Sequence, residues 1–179
     1  MSNKITCFAA SSSRNSINKQ LVTYAAGLVE DAEVEVLDLN DFELPLFSVD
    51  REAELGQPQL AQDFLDKIQG SDALIIAFAE HNGCYSAAYK NLYDWASRIE
   101  AKVYKDKRIV LLATSPGGRG GKSVLDLALA QIPRFGGEIR GCVSMPMFYD
   151  NFDSDLGIVK NSGIDAEIQG AIKQLLNDD

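Results

Sequence analysis

The chain has 179 residues, 46% of them hydrophobic, with 17 basic against 26 acidic side chains and a formal net charge of −9. That length suits one domain with a substantial core, and the negative field disfavours nucleic-acid backbones and anionic membrane surfaces as partners. Cys7, Cys84 and Cys142 are odd in number and far apart, which argues against a disulfide framework or a zinc knuckle and for a reducing, cytoplasmic compartment.

The run ITCFAA (5–10) is continuously apolar, as a strand covered on both faces should be, and opens into SSSRNSIN (11–18). Ile17, Leu21, Tyr24, Ala25 and Leu28 then fall on one helical stripe. EVEVLDLN (33–40) alternates acidic and aliphatic residues at first, the pattern of a half-exposed edge strand, and SVDREAELGQPQ (48–59) reads as an exposed loop. A helix begins near Pro58 and carries Leu60, Phe64 and Ile68. The second buried strand, ALIIAFA (73–79), leads through EHNGC (80–84) to a helix bearing Leu92, Trp95 and Ile99. The third, IVLLAT (109–114), leads through SPGGRGG (115–121) to a helix bearing Val124, Leu125, Ala128, Leu129 and Ile132. GCVSMPMF (141–148) is a weaker strand, with Pro146 at an end or edge because proline donates no ladder hydrogen bond, and a last helix carries Ile164, Ile168, Ile172 and Leu175.

Five alternations of strand and helix predict a single α/β domain over 1–179, a three-layer sandwich with a five-stranded parallel sheet and helices on both faces. The order 2-1-3-4-5 places the half-polar strand at an edge, and ligands should gather at the carboxyl ends of the first, third and fourth strands. In the first of these loops Ser11, Ser13, Ser16 and Asn18 open onto a helix N-terminus, an anion site to which Arg14 adds a positive charge. In the second, Glu80, His81, Asn82 and Gly83 offer donors and acceptors to a flat heterocycle; His81 is the one candidate for a general acid, and Cys84 lacks a resolving partner. The third fails as a phosphate loop, with Pro116 where a glycine belongs, and fails the dinucleotide fingerprint at Ser123. Its Ser115, Gly117 and Gly118 can instead let backbone lie flat against a ring. No nucleophile with its base and no metal cluster stands out.

Taken together, ASSSRNSIN, AEHNGCYSAAYKNLYDW and SPGGRGG resemble the NADPH-dependent FMN reductase family, a flavodoxin-like group that includes quinone, chromate and azo-dye reductases. The resemblance runs from Ile5 to about Gly137, with Ala79 where the family has proline and His81 where it has tyrosine. It implies that FMN phosphate rests on Ser11, Ser13, Arg14, Ser16 and Asn18. The ring would lie between Glu80, His81, Asn82 and Gly83 on one side and Ser115, Gly117 and Gly118 on the other. The implied activity passes hydride from NADPH or NADH through FMN to a quinone, flavin, azo compound or metal oxyanion by ping-pong turnover; the alternatives are an electron carrier and a flavin-binding sensor. It also implies a homodimer, or a dimer of dimers. Tyr85, Tyr89 and Tyr93, spaced i, i+4, i+8, are expected on an exposed helix stripe at that interface, and Lys90 with Asp94 as a surface ion pair.

Overall fold

The computed structural model describes residues 3–177. In chain order it contains β1 (Asn3–Ala10), α1 (Ile17–Gly27), β2 (Ala32–Leu37), a 3-10 turn (Leu39–Phe42), α2 (Val49–Leu55), α3 (Gln59–Gln69) and β3 (Ala73–Phe78). A hairpin of β4 (Glu80–His81) and β5 (Cys84–Tyr85) follows, then α4 (Ala87–Ile99), β6 (Lys107–Thr114), α5 (Lys122–Gln131) and a second 3-10 turn (Ile132–Phe135). The chain continues with β7 (Gly137–Met145), α6 (Phe148–Asn151), a small hairpin of β8 (Phe152–Asp153) and β9 (Ile158–Val159), and α7 (Ser162–Leu176).

The five long strands pair in parallel in the order β2-β1-β3-β6-β7, which is the 2-1-3-4-5 order expected for a flavodoxin-like sheet. All six residues of β3 are buried, as its unbroken apolar run requires, whereas β2 alternates and leaves Val36 at the surface. One core lies between the sheet and α3, α4 and α5, around Phe8, Phe64 and Phe78. The other packs α1 and α7 on the opposite face, around Leu21, Phe148 and Ile168. Cys7 belongs to this second core, where burial pushes its thiol up to about 12, so it is a neutral packing residue.

Two elements differ from expectation. β7 starts at Gly137, four residues before the predicted strand, because a bulge opposite Ile109 and Val110 inserts Arg140 and breaks the pattern; it ends at Met145, just before Pro146. The stretch 48–59 is not a plain loop. Ser48 caps α2 by accepting from the Arg51 N–H, Asp50 and Glu52 favour the first turn, and Gly56 ends it at φ +68°. Among the described residues, no helix is long and apolar enough to cross a membrane.

Candidate functional site

The carboxyl ends of β1, β3 and β6 converge on a cavity of about 250 Å3. Ser11, Ser13, Asn15, Ser16 and Asn18 line it from the first loop, Glu80 and His81 from the second, Thr114, Ser115 and Pro116 from the third. The Ser11 hydroxyl accepts from the Ser13 N–H, and Ser16 caps α1 by accepting from the Lys19 N–H, both at 3.2 Å. Both hydroxyls keep a proton to donate. The α1 N-terminus directs its unpaired first-turn N–H groups at the same place.

Asn18 is buried and works inside the protein. Its Nδ2 donates to the Thr114 carbonyl at 3.1 Å and its Oδ1 accepts from the Thr114 N–H at 2.9 Å. This amide fixes the first loop to the end of β6, where the third loop begins. Glu80 plays a matching part. Gly121, the residue capping α5, has no side chain, so the Glu80 carboxylate reaches from the second loop to accept from the Val124 N–H at 3.1 Å. Second and third loops are thereby joined. Arg14 is exposed and lines a neighbouring hollow of about 620 Å3, with Tyr24 and Phe152, not the serine-lined cavity. Lys19 is held by Asp38, whose carboxyl is lowered to about 2, chiefly by the hydrogen bond from that ammonium.

Asn82 and Gly83, at φ +53° and +77°, form the two-residue turn of the β4–β5 hairpin, with His81 opposite Cys84. Asn-Gly is the strongest short hairpin signal, and it explains both residues without a ligand. His81, Asn82, Gly83 and Cys84 are all exposed on the hairpin's tip. The glycines of the third loop divide into two pairs. Gly120 and Gly121 have positive φ, and added Cβ atoms would lie 2.8 Å from Pro146 N and 2.9 Å from Ala113 Cβ. Gly117 and Gly118 have open space where a Cβ would go. Packing within the chain gives no reason for glycine at these two positions; a flat ligand lying against them would. Bare backbone beside a serine-rich anion cradle fits a phosphate-bearing aromatic group such as FMN.

The tyrosine row is corrected by the structure. Tyr89 is 2% exposed and Tyr85 9%, so neither is offered to a partner subunit, and Tyr85 is on β5, not on the helix. Tyr89 packs on Phe8, Phe78, Tyr85 and Tyr93, and its hydroxyl bonds that of buried Tyr104. Burial pushes the phenols of Tyr85, Tyr89 and Tyr93 up, so they remain neutral. Lys90 and Asp94 do form the expected surface pair, at 2.7 Å. Outside the three loops, Tyr149 also lines the cavity, a residue that no spacing in the sequence singled out.

The sequence model of the NADPH-dependent FMN reductase family matches residues 3–139. The chain belongs to this family. It is accordingly an oxidoreductase with FMN and NAD(P)H as its cofactors. It is 30% identical over 124 residues to an NADPH:quinone oxidoreductase of Arabidopsis thaliana, covering 67% of this chain and 62% of that one. It is 34% identical over 122 residues to a 2-hydroxy-1,4-benzoquinone reductase of a Burkholderia species, covering 67% and 64%. The fold is shared with a flavoenzyme NAD(P)H:(acceptor) oxidoreductase of Paracoccus denitrificans, with a TM-score of 0.76, 24% identity and coverage of 97% and 94%.

Proposed function

We propose that the chain is a single cytoplasmic flavin domain that reduces small acceptors, quinones first among them, at the expense of NAD(P)H by ping-pong turnover. The observation that carries this reading is the cavity where the three family loops meet, lined by the hydroxyls of Ser11, Ser13, Ser16 and Ser115, with Gly117 and Gly118 following in the third loop and leaving open space where side chains would stand. Quinone reduction in two similar enzymes supports the acceptor class. When bound, FMN would supply the redox chemistry, taking hydride from the nicotinamide and giving it to the acceptor.

The protein's part is to hold and orient. Ser11, Ser13 and Ser16, with the α1 N-terminus, would hold the phosphate by hydrogen bonds and the helix dipole, without a lysine or arginine lining the cavity. Asn18 and Glu80 keep the three loops at fixed separation, so the ring would meet a preorganised slot. The exposed hairpin tip with His81 leaves one face open to solvent, and donor and acceptor can use that face in turn. A homodimer, or a dimer of dimers, also belongs to this reading. With Tyr85 and Tyr89 buried, one apolar surface that could serve it is Leu46, Val49 and Leu55, 54–73% exposed, on the segment packed along α4.

Initial-rate kinetics test the turnover order. Double-reciprocal plots for NAD(P)H at several fixed quinone concentrations are expected to be parallel; lines that intersect would mean donor and acceptor occupy the site together and would overturn the shared-face account.

A further inference from the structure

The flavin cavity has a wall from beyond residue 139, where the family match stops. Tyr149 lines it with Ser11, Ser13, Ser16 and Ser115, and is nevertheless 66% exposed. Its backbone is firmly placed. The Phe148 N–H donates to the Ser115 carbonyl and the Met147 N–H to the Gly117 carbonyl, both at 3.0 Å, so the segment is fastened to the third loop. Phe148 is fully buried and stacks on Phe152 at 4.9 Å. Lys160 Nζ donates to the carbonyl of Tyr149 itself at 3.2 Å. The Tyr149 ring meets Phe148 edge-on at 5.3 Å, and no described residue bonds its hydroxyl. A rigid segment therefore presents an aromatic side chain at the cavity with its polar end unused.

The cavity's charge gives that end a task. Six of the thirteen lining residues belong to the first loop, so the cavity is the phosphate half of the site. It is lined by no lysine or arginine, and besides Tyr149 its ionisable lining side chains are His81 and Glu80, the latter accepting from the Val124 N–H; Arg14 lines the next hollow, which shares Asn15 and Ser16 with it, and Lys19 is taken by Asp38. A phosphate among the first-loop serines relies chiefly on hydrogen bonds from uncharged donors. A phenol, more acidic than an aliphatic alcohol, is the strongest hydroxyl donor available. We infer that the Tyr149 hydroxyl donates to the flavin's phosphate and thereby makes the site select FMN over riboflavin, which has the same ring and no phosphate.

This inference rests on the flavin reading above, and its test separates the two. The full chain, stripped of flavin, is titrated with FMN and with riboflavin while flavin fluorescence is followed, for the native protein, Tyr149→Phe and Tyr149→Ala. Both variants are expected to bind FMN about tenfold more weakly, the loss for one hydrogen bond to a charged group. Riboflavin affinity should change less than about twofold in Tyr149→Phe. FMN affinity unchanged in Tyr149→Phe, or equal losses for both flavins, would overturn the phosphate contact while leaving the flavin site standing. A native protein that binds neither flavin would overturn both.

Discussion

Gly120→Ala is expected to destabilise the flavin-free protein by about 2–4 kcal/mol, whereas Gly117→Ala should cost less than about 0.5 kcal/mol. At Gly120 the backbone has φ +58°, where a Cβ costs roughly 1–2 kcal/mol. That Cβ would also lie 2.3 Å from Ser144 Oγ, 2.8 Å from Pro146 N and 3.0 Å from the Met145 carbonyl carbon. The serine hydroxyl could rotate away only by giving up its 2.9 Å hydrogen bond to the Gly120 carbonyl, and the two backbone atoms cannot yield without moving the end of β7. Gly117 has neither a positive φ nor a neighbour within 4 Å. A methyl there should leave folding alone and weaken FMN if the proposed site, with the ring against Gly117 and Gly118, is right. Urea unfolding of both variants, with an FMN titration of Gly117→Ala, checks the pair. A native-like midpoint for Gly120→Ala would contradict the packing of the third loop.

Trp95→Ala should cost about 3–5 kcal/mol, the range for truncating a buried aromatic. The indole is fully buried, meets Phe47 edge-on at 5.1 Å and donates from Nε1 to the Pro45 carbonyl at 2.8 Å. Around it, Asn91 donates to the Leu44 carbonyl at 3.0 Å and accepts from the Phe47 N–H at 2.8 Å, while Arg98 pairs with Glu52 at 2.9 Å. These bonds strap residues 44–52 to the outer side of α4, so losing Trp95 should free the strap before the sheet opens. Protease cleavage within 44–57 is expected to accelerate in native buffer along with the fall in the unfolding midpoint. A loss under about 1 kcal/mol, with no new cleavage, would show that the strap holds without the indole.

The sheet was legible because each long strand except β7 is an uninterrupted or cleanly alternating run, and a parallel sheet buried on both faces needs such runs. The three loops were legible for a related reason, since each follows directly on a strand end. What the spacing could not convey was partnership across the fold. The i, i+4 row of tyrosines fixes which residues share a side of α4, but Tyr104 and Phe135, from segments without periodicity, are what cover that side. The loop-joining hydrogen bonds of Glu80 and Asn18 were not legible, because their partners, Val124 and Thr114, are 44 and 96 residues away. The Asn82-Gly83 turn was legible and carried a second meaning, a hairpin, that competes with a ligand role. Tyr149 follows an αL residue, Met147, at φ +48°, where no strand or helix period points to it.

The most direct test is anaerobic: the FMN-loaded protein is mixed with NADPH, and separately with NADH, and the flavin's visible absorption is followed. Rapid bleaching by at least one donor, and recovery on adding a quinone, is the expected result. Stable FMN binding with no bleaching by either donor would contradict the reductase reading and leave a flavin carrier or sensor in its place.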